Sequence, residues 1–275
     1  MAKSESIPPG NVRLPAVAGR FYPADPEALR GLINSLLAQA PPAAGPAPKA
    51  LIAPHAGYLY SGPIAASAYA QLIPARERIR RVVLLGPSHY VALYGLATSG
   101  AEAFATPLGV VPLDLEATRQ VRSRPQVREL DAAHAREHSI EVQLPFLQTI
   151  LGKFSLIPLA VGHATNEEIA QVLETLWGGP ETLVVISSDL SHDNDLQTAQ
   201  SLDSATAKAI EALRPADIGE THACGGIPIR GLLEVARHRH LRVRTLDLRT
   251  SGDTAGPRSR VVGYGAFAFE EGAAA

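Results

Sequence analysis

The chain has 275 residues, 46% of them hydrophobic, which is enough for one large domain around a substantial core. Its formal net charge is −2, so it lacks the basic excess typical of nucleic-acid-binding proteins. The only cysteine is Cys224, which excludes a disulfide within the chain and fits a reducing compartment. Met1–Ala16 has no apolar signal core, and no apolar run approaches the roughly 20 residues of a membrane-spanning helix. We therefore expect a cytoplasmic protein that binds neither nucleic acid nor membrane.

The first part of the chain predicts an arm, a helix and a loop. Residues 1–11 are polar and contain two consecutive prolines, so we expect a mobile arm. Asp25 can cap a helix whose first position suits Pro26, and apolar residues then recur at helical spacing. The helix should end before Pro41, because residues 41–48 contain only Pro, Ala and Gly and predict a linker or surface loop.

The remaining chain alternates short apolar runs with amphipathic segments. Strands are predicted at 50–53, 82–85, 154–161, 182–187, 241–248 and 259–269, with short strands, as in an edge hairpin, at 94–99 and 101–111. Helices are predicted at 63–73, 115–122, 139–151, 165–177, 195–213 and 227–238. This alternation predicts a single α/β domain over residues 1–275, with a mainly parallel or mixed central sheet flanked by helices and a tail at 270–275.

Histidines follow three of the predicted strands. His55 comes after a strand that ends at Pro54, His89 after a strand that ends at Gly86–Pro87, and His192 after the strand at 182–187. A single histidine after a strand is more often structural, but ligands of open α/β sheets bind at the carboxyl edge, and imidazole is the commonest metal ligand. Three such strand ends therefore suggest one site.

The stretch Glu137–Glu141 adds two candidates at the start of a predicted helix. His138 and Glu141 are three residues apart and would share one helical face. Glu141 could equally serve only to complement the helix dipole. Both interpretations remain open from the residues alone.

The stretch Ser187–His192 offers a carboxylate, an imidazole and hydroxyls. Asp189 could orient His192 for acid–base chemistry. Alternatively, Asp189 could cap the following helix, although Asp195 would do so better. Ser188 is conceivable as a hydrolase nucleophile, but the Gly-x-Ser-x-Gly pattern is absent.

Cys224 lies between a histidine and two glycines, just ahead of a predicted helix. A lone cysteine is usually an inert buried residue. A helix N-terminus, however, lowers the pKa of a thiol and favours the thiolate that binds metals. The residues alone leave an inert cysteine and a ligand or nucleophile equally open.

Five ordered motifs together closely resemble the Memo-like proteins, called AmmeMemoRadiSam system protein B in prokaryotes. The motifs are Ala53–Tyr58, Leu85–His89, Glu137–Phe146, Ser187–His192 and Cys224–Ile229. The resemblance runs from about Ala18 to about Phe269. It implies a fold like that of the class III extradiol dioxygenases, whose site uses non-haem Fe(II).

By motif match, the resemblance implies a metal bound by His55, His89 and Cys224, with Asp189 and His192 beside it and His192 as the acid–base histidine. Fe(II) is the expected metal, and the thiolate makes Cu(I) a competitor, with Zn(II) as a further option. The remaining cleft candidates are His138, Glu141, Ser188 and Tyr58.

The chain departs from the family pattern at two places. Tyr90 stands where members often have a second histidine, which leaves the expected ligand His89 intact. Gly226–Pro228 stands where members often have Arg-His-Pro, which removes polar groups near the site.

Three functions fit these residues. The first is a dioxygenase-like redox enzyme with an unknown small-molecule or protein substrate, associated by its family name with a radical-SAM protein. The second is a phosphopeptide-binding module with a vestigial cleft, which would use the aromatic residues Phe21, Tyr22, Tyr58 and Tyr60, all expected to be exposed. The third is a hydrolase in which His192 acts as base towards a zinc-bound water.

Overall fold

The computed structural model describes residues 10–219 and 221–272. Residues 1–9 of the expected arm and 273–275 of the expected tail lie outside the described residues. Asn11, the last residue of the expected arm, is tied to the fold, because its backbone carbonyl accepts a hydrogen bond of 2.7 Å from the backbone N–H of Glu102. Glu270, the first residue of the expected tail, is the last residue of a strand, so the tail begins later than predicted.

Within the described residues, strands and helices alternate along most of the chain. The strands are β1 (Val12–Arg13), β2 (Ala50–Ala53), β3 (Arg81–Pro87), β4 (Leu96–Thr98), β5 (Ala103–Thr106), β6 (Gly109–Pro112), β7 (Val127–Glu129), β8 (Ser155–Val161), β9 (Thr182–Ser187), β10 (His192–Asn194), β11 (Arg242–Thr250) and β12 (Val261–Glu270). The helices are α1 (Pro26–Gln39), α2 (Tyr58–Tyr69), α3 (Leu115–Val121), α4 (Ala132–Ala135), α5 (Leu144–Leu151), α6 (Asn166–Leu176), α7 (Leu196–Glu211), α8 (Gly226–His238) and α9 (Ser251–Thr254).

The main sheet is mixed, as the sequence predicted. Its strand order is β10-β12-β2-β9-β3-β8-β4-β7, and β11 also pairs with β12. The central strands β2, β9, β3 and β8 are parallel, whereas β12 is antiparallel to both β2 and β11. Because the central strands are parallel, their carboxyl ends meet at one edge of the sheet. That edge carries the loops that follow β2, β3 and β9.

Helices cover both faces of the sheet, which is why the central strands are continuous apolar runs. Along β3, Val82 and Leu84 join the hydrophobic cluster that includes residues of α1, α2 and α5. Val83 and Leu85 point the other way, into the cluster that includes residues of α6, α7 and α8. This alternation of period two makes β3 a strand with two buried faces. The described chain is therefore a single mixed α/β domain.

Several element boundaries differ from the sequence prediction. Helix α2 begins at Tyr58 and includes Pro63, because the backbone N–H of Tyr58 finds an acceptor in the carbonyl of Phe21 at 2.8 Å. The predicted helix over 139–151 is a 3₁₀ turn at Glu141–Gln143 followed by α5, with Pro145 in the first helical turn. The predicted hairpin between 94–99 and 101–111 is wrong. The segment predicted as one strand at 101–111 forms two strands, β5 and β6, which make a hairpin with each other and join β1 in a separate small sheet, whereas β4 pairs with β7 and β8 of the main sheet.

No helix in the described part of the chain combines the length and the apolar character needed to cross a membrane.

Candidate metal centre

Three histidines converge beyond the carboxyl edge of the sheet. His55 follows β2, His89 follows β3, and His138 lies in the turn before α5. Each offers a ring nitrogen, and the three nitrogens lie within 4.8 Å of one another. The ring centroids are 5.3 Å apart for His55 and His89, and 4.7 Å apart for His89 and His138. The cluster could hold a metal ion.

The sulfur of Cys224 lies next to this cluster. Its Sγ is 3.3 Å from Nε2 of His55 and accepts a hydrogen bond of 3.3 Å from the backbone N–H of Asp189. Burial, together with the charge of Asp189, raises the pKa of the Cys224 thiol to about 12. Burial therefore opposes the thiolate that the helix N-terminus was expected to favour. A metal that binds this sulfur would have to displace its proton.

Glu137 holds His89 from outside the cluster. Its Oε1 accepts a hydrogen bond of 2.8 Å from Nδ1 of His89, and its Oε2 accepts one of 2.6 Å from the His89 backbone. The backbone N–H groups of His138 and Ser139 also donate to Oε1, each at 2.9 Å. Burial raises the pKa of Glu137, but these bonds from His89 and Ser139 outweigh it and lower the pKa to about 2. The carboxylate is therefore ionised, so Nδ1 of His89 is the donor and its Nε2 is free to bind a metal.

Glu137 is a residue whose role the sequence reasoning missed. It lies directly before His138 in the third motif, but nothing in the spacing indicates that it contacts His89, which lies 48 residues earlier in the chain. A carboxylate that orients a ligating histidine is a common companion of metal sites. The sequence signal for this role was the position of the acidic Glu137 directly before the candidate ligand His138.

His55 is the most buried of the three histidines, with 2% of its surface exposed. Its backbone N–H donates to Oδ1 of Asp189 at 2.8 Å, and its Nδ1 lies 2.9 Å from Oγ of Ser187. Burial, with the neighbouring His138 and His89, lowers the pKa of His55 well below its ordinary value. The ring is therefore neutral, which is the form that binds metals.

Asp189 and His192 lie on one side of this cluster. Asp189 is buried, and burial raises the pKa of its carboxyl, although the His55 N–H and the charge of His192 act in the opposite direction. His192 is exposed in the short strand β10, which pairs with Val262 of β12. Within the described residues, no hydrogen bond joins the side chains of Asp189 and His192. Asp189 instead fixes the backbone of His55.

Ser188 and Tyr58, two of the cleft candidates, are engaged in the surrounding structure. Oγ of Ser188 donates to the carbonyl of Asp189 at 2.7 Å and accepts from the N–H of Gly225 at 2.9 Å. The hydroxyl of Tyr58 donates to the carbonyl of Val142 at 2.6 Å. Ser188 thereby ties the loop after β9 to the start of α8.

Glu141, the other acidic candidate, anchors the N-terminal segment. Its buried carboxylate forms an ion pair with Arg13 and accepts hydrogen bonds from the backbone of Ala16 at 2.8 Å and Val17 at 3.0 Å. It also accepts a bond of 2.5 Å from the hydroxyl of Tyr22. Arg13 lies 128 residues away in sequence, so this arrangement could not be inferred from local spacing.

The expectation of exposed aromatic residues is wrong for two of the four. Tyr22 is 3% exposed and Tyr58 is 2% exposed, because both pack in the core and bond buried acceptors. Tyr60 is 38% exposed, and Phe21 is partly buried with its ring centroid 4.7 Å from that of His138.

A cavity of about 580 Å³ adjoins the centre on the side of Cys224. Its lining includes Ser88, Tyr94, His163 and Ile227. A volume of this size suits a small organic molecule, which typically needs about 300–1,000 Å³. The cavity therefore has room for a small molecule beside Cys224, although none of the three histidines lines it.

Comparison with known proteins identifies the family. The family model described as Memo-like protein matches residues 13–268. A MEMO1 family protein of Methanopyrus kandleri is 38% identical over 284 residues, covering 94% of this chain and 99% of the relative. Relatives of the same name from Aquifex aeolicus and Thermotoga maritima are 35% and 36% identical, each covering 92% of this chain and 97% of the relative. The mixed α/β domain is consistent with the dioxygenase-like fold expected for such proteins. On these matches, the chain belongs to the Memo-like protein family.

Proposed function

We propose that this protein is a metal-dependent redox enzyme that binds Fe(II) through His55, His89 and Cys224. The observation that carries the proposal is the convergence of three histidine ring nitrogens within 4.8 Å beside the Cys224 sulfur. Two imidazoles with one anionic ligand resemble the ligand sets of non-haem iron enzymes, and the sulfur keeps Cu(I) a competitor.

The donor set supports a resident transition metal. His55 is neutral in its buried surroundings, and His89 is oriented by the ionised Glu137, so both rings are ready to act as ligands. When bound, the metal would supply the redox chemistry that side chains lack. Around it, Asp189 holds the His55 backbone, and Phe21 shields one side of His138.

The acid–base role is assigned to His192. It is exposed at the strand end next to Asp189, so it can exchange a proton with solvent and with a bound substrate. His55 and His138 are less suited to exchanging a proton near neutral pH, because burial lowers the pKa of each ring. His138 is the alternative third ligand, since it belongs to the histidine cluster and Cys224 Sγ does not.

The phosphopeptide-binding alternative loses support, because Tyr22 and Tyr58 are buried and unavailable to a peptide. A zinc-dependent hydrolase would use the same centre, so the identity of the bound metal separates it from the redox enzyme.

Metal counting tests the ligand set. We expect protein reconstituted anaerobically with Fe(II), Cu(I) or Zn(II) to bind one equivalent. His55→Ala and Cys224→Ser should each lose that metal, whereas His238→Ala, an exposed histidine of α8, serves as the matched control. Full metal binding by a variant that carries both ligand substitutions would refute the assignment. Loss of metal in His138→Ala together with retention in Cys224→Ser would assign the third position to His138.

Activity measurements test the role of His192. We expect His192→Ala to retain the metal and to slow metal-dependent dioxygen consumption by roughly 10²–10⁴-fold, the usual contribution of a positioned acid–base group. His89→Ala should lose metal and activity together. If His192→Ala lost its metal as fully as His89→Ala, His192 would be a ligand and the role assigned here would be wrong.

A further inference from the structure

Ser187, the last residue of β9, lies at the centre of a buried hydrogen-bond network behind His55. Its Oγ is 2.9 Å from Nδ1 of His55, 2.8 Å from Nε2 of Gln143 and 2.5 Å from the backbone carbonyl of Ser139. Ser139, Gln143 and Ser187 are all fully buried. Because a hydroxyl carries a single proton, the direction of each bond can be worked out from its partners.

The orientation of the Gln143 amide comes first. Its Nε2 lies 2.9 Å from the backbone carbonyl of Pro54, which can only accept a hydrogen bond. Its Oε1 accepts a bond of 2.7 Å from the hydroxyl of Tyr69. The NH₂ group therefore faces Pro54 and Ser187, and Gln143 donates to Ser187.

The single proton of Ser187 is then assigned. The carbonyl of Ser139 can only accept, so Ser187 donates its proton to that oxygen. Having donated its proton, the Ser187 oxygen can only accept from the ring of His55. Nδ1 of His55 must therefore carry a proton, and Nε2, which lies 3.3 Å from Sγ of Cys224, must carry the lone pair.

We infer that Ser187 and Gln143 are positioning residues that hold His55 in the Nδ1–H tautomer and so present its Nε2 lone pair to a metal. This inference rests on the proposed metal centre. It also distinguishes the two histidine ligands: an ionised carboxylate holds His89, whereas a neutral hydroxyl, itself held by an amide, holds His55. A neutral partner avoids placing a third buried carboxylate beside Glu137 and Asp189.

Nitrogen NMR of metal-free protein labelled with ¹⁵N-histidine tests the assignment without any substrate or metal. At pH 7.5, we expect the His55 ring, assigned through His55→Ala, to show a protonated Nδ1 and an unprotonated Nε2. Ser187→Ala removes the acceptor of the Nδ1 proton, so the Nε2–H tautomer should gain population. The signals of His89 should not change in this variant, because Glu137 orients that ring independently.

Metal titration provides the second measurement. Competition with a chelator should show about 10–100-fold weaker Zn(II) binding in Ser187→Ala, the usual effect of removing a partner behind a ligating histidine. Ser187→Thr keeps the hydroxyl and should restore the tautomer and most of the affinity. Should the threonine methyl group prevent folding, Gln143→Leu replaces it as the second variant and should weaken binding less than Ser187→Ala, because Ser187 can still accept from His55.

The outcomes separate this inference from the proposed function. A wild-type His55 ring in the Nε2–H form, or a Ser187→Ala variant with unchanged tautomer and affinity, would overturn the inference. A protein that shows the Nδ1–H form but binds no metal would refute the proposed function and leave the tautomer assignment standing.

Discussion

Replacing Glu137 with glutamine would test how far this buried carboxylate stabilises the folded protein. The substitution keeps the shape of the side chain but removes its charge. It also places an NH₂ group opposite N–H groups of His89 that donate to the carboxylate in the wild-type protein. The pKa of Glu137 is about 2 in the folded protein, against an ordinary value of 4.5. This difference in pKa corresponds to about 3 kcal/mol in the free energy of unfolding at neutral pH.

The sign of the effect gives a specific pH dependence. Because folding lowers the pKa of Glu137, its contribution is fully present above the unfolded value of 4.5 and is lost as the pH falls towards 2. Urea unfolding of wild type and Glu137→Gln at pH 7, 5, 4 and 3 should give a stability difference of about 3 kcal/mol at pH 7 and 5. Below pH 4.5, the difference should shrink by roughly 1.4 kcal/mol per pH unit.

An exposed glutamate provides the control for this experiment. The side chain of Glu77 is 87% exposed, so Glu77→Gln should change stability by less than about 0.5 kcal/mol at each pH. A difference between wild type and Glu137→Gln that stayed constant from pH 7 to pH 3 would show that packing, and not the ionised carboxylate, is responsible. The reasoning from the lowered pKa would then be refuted.

Three further substitutions test contacts away from the centre, each by urea unfolding at pH 7. Lys49→Met removes an ammonium group that donates to three backbone carbonyls around the C-terminal end of α6, each at 2.7 Å, and should cost about 3–5 kcal/mol; a loss below 1 kcal/mol would contradict a capping role. Arg13→Met leaves the Glu141 carboxylate buried without its cation and should cost about 3–5 kcal/mol; a loss below 1 kcal/mol would contradict a structural role for this ion pair. Gly263→Ala would place a Cβ atom 1.9 Å from Oδ2 of Asp203 and should cost about 1–3 kcal/mol, whereas Gly31→Ala, with open space around it, should not destabilise.

The fold was largely predictable because its information is local. The apolar runs of β2, β3 and β9 end at a proline or a polar residue, and Asp25 and Asp195 cap helices as their sequence positions suggest. The exceptions have physical causes. Pro63 suggested a helix start, but α2 begins earlier, at Tyr58, whose backbone N–H donates to the carbonyl of the sequence-distant Phe21.

The site was predictable in part. Parallel pairing brings the ends of β2 and β3 to one edge, so His55 and His89 meet as their strand positions suggested. Local spacing could not decide whether Glu141 belongs to the site or only complements the helix dipole, because its partner is Arg13, 128 residues away. The role of Ser187 was equally hidden, since it depends on Gln143, which lies on a different element.

The separation of the site residues along the chain has a consequence for how the protein would acquire the proposed metal. His55 and Cys224 are 169 residues apart, and they approach each other only after β2 and β9 have paired and α8 has docked. Pairing of such distant strands comes late relative to local structure, because the entropy of closing long loops must be overcome first. A metal ion therefore cannot template folding from a short segment, and it would load onto a chain that has already folded. At a free concentration of 100 times its dissociation constant, it would then add about 2.7 kcal/mol to the stability of the folded state alone, so metal scarcity would shorten the lifetime of the protein without slowing its folding.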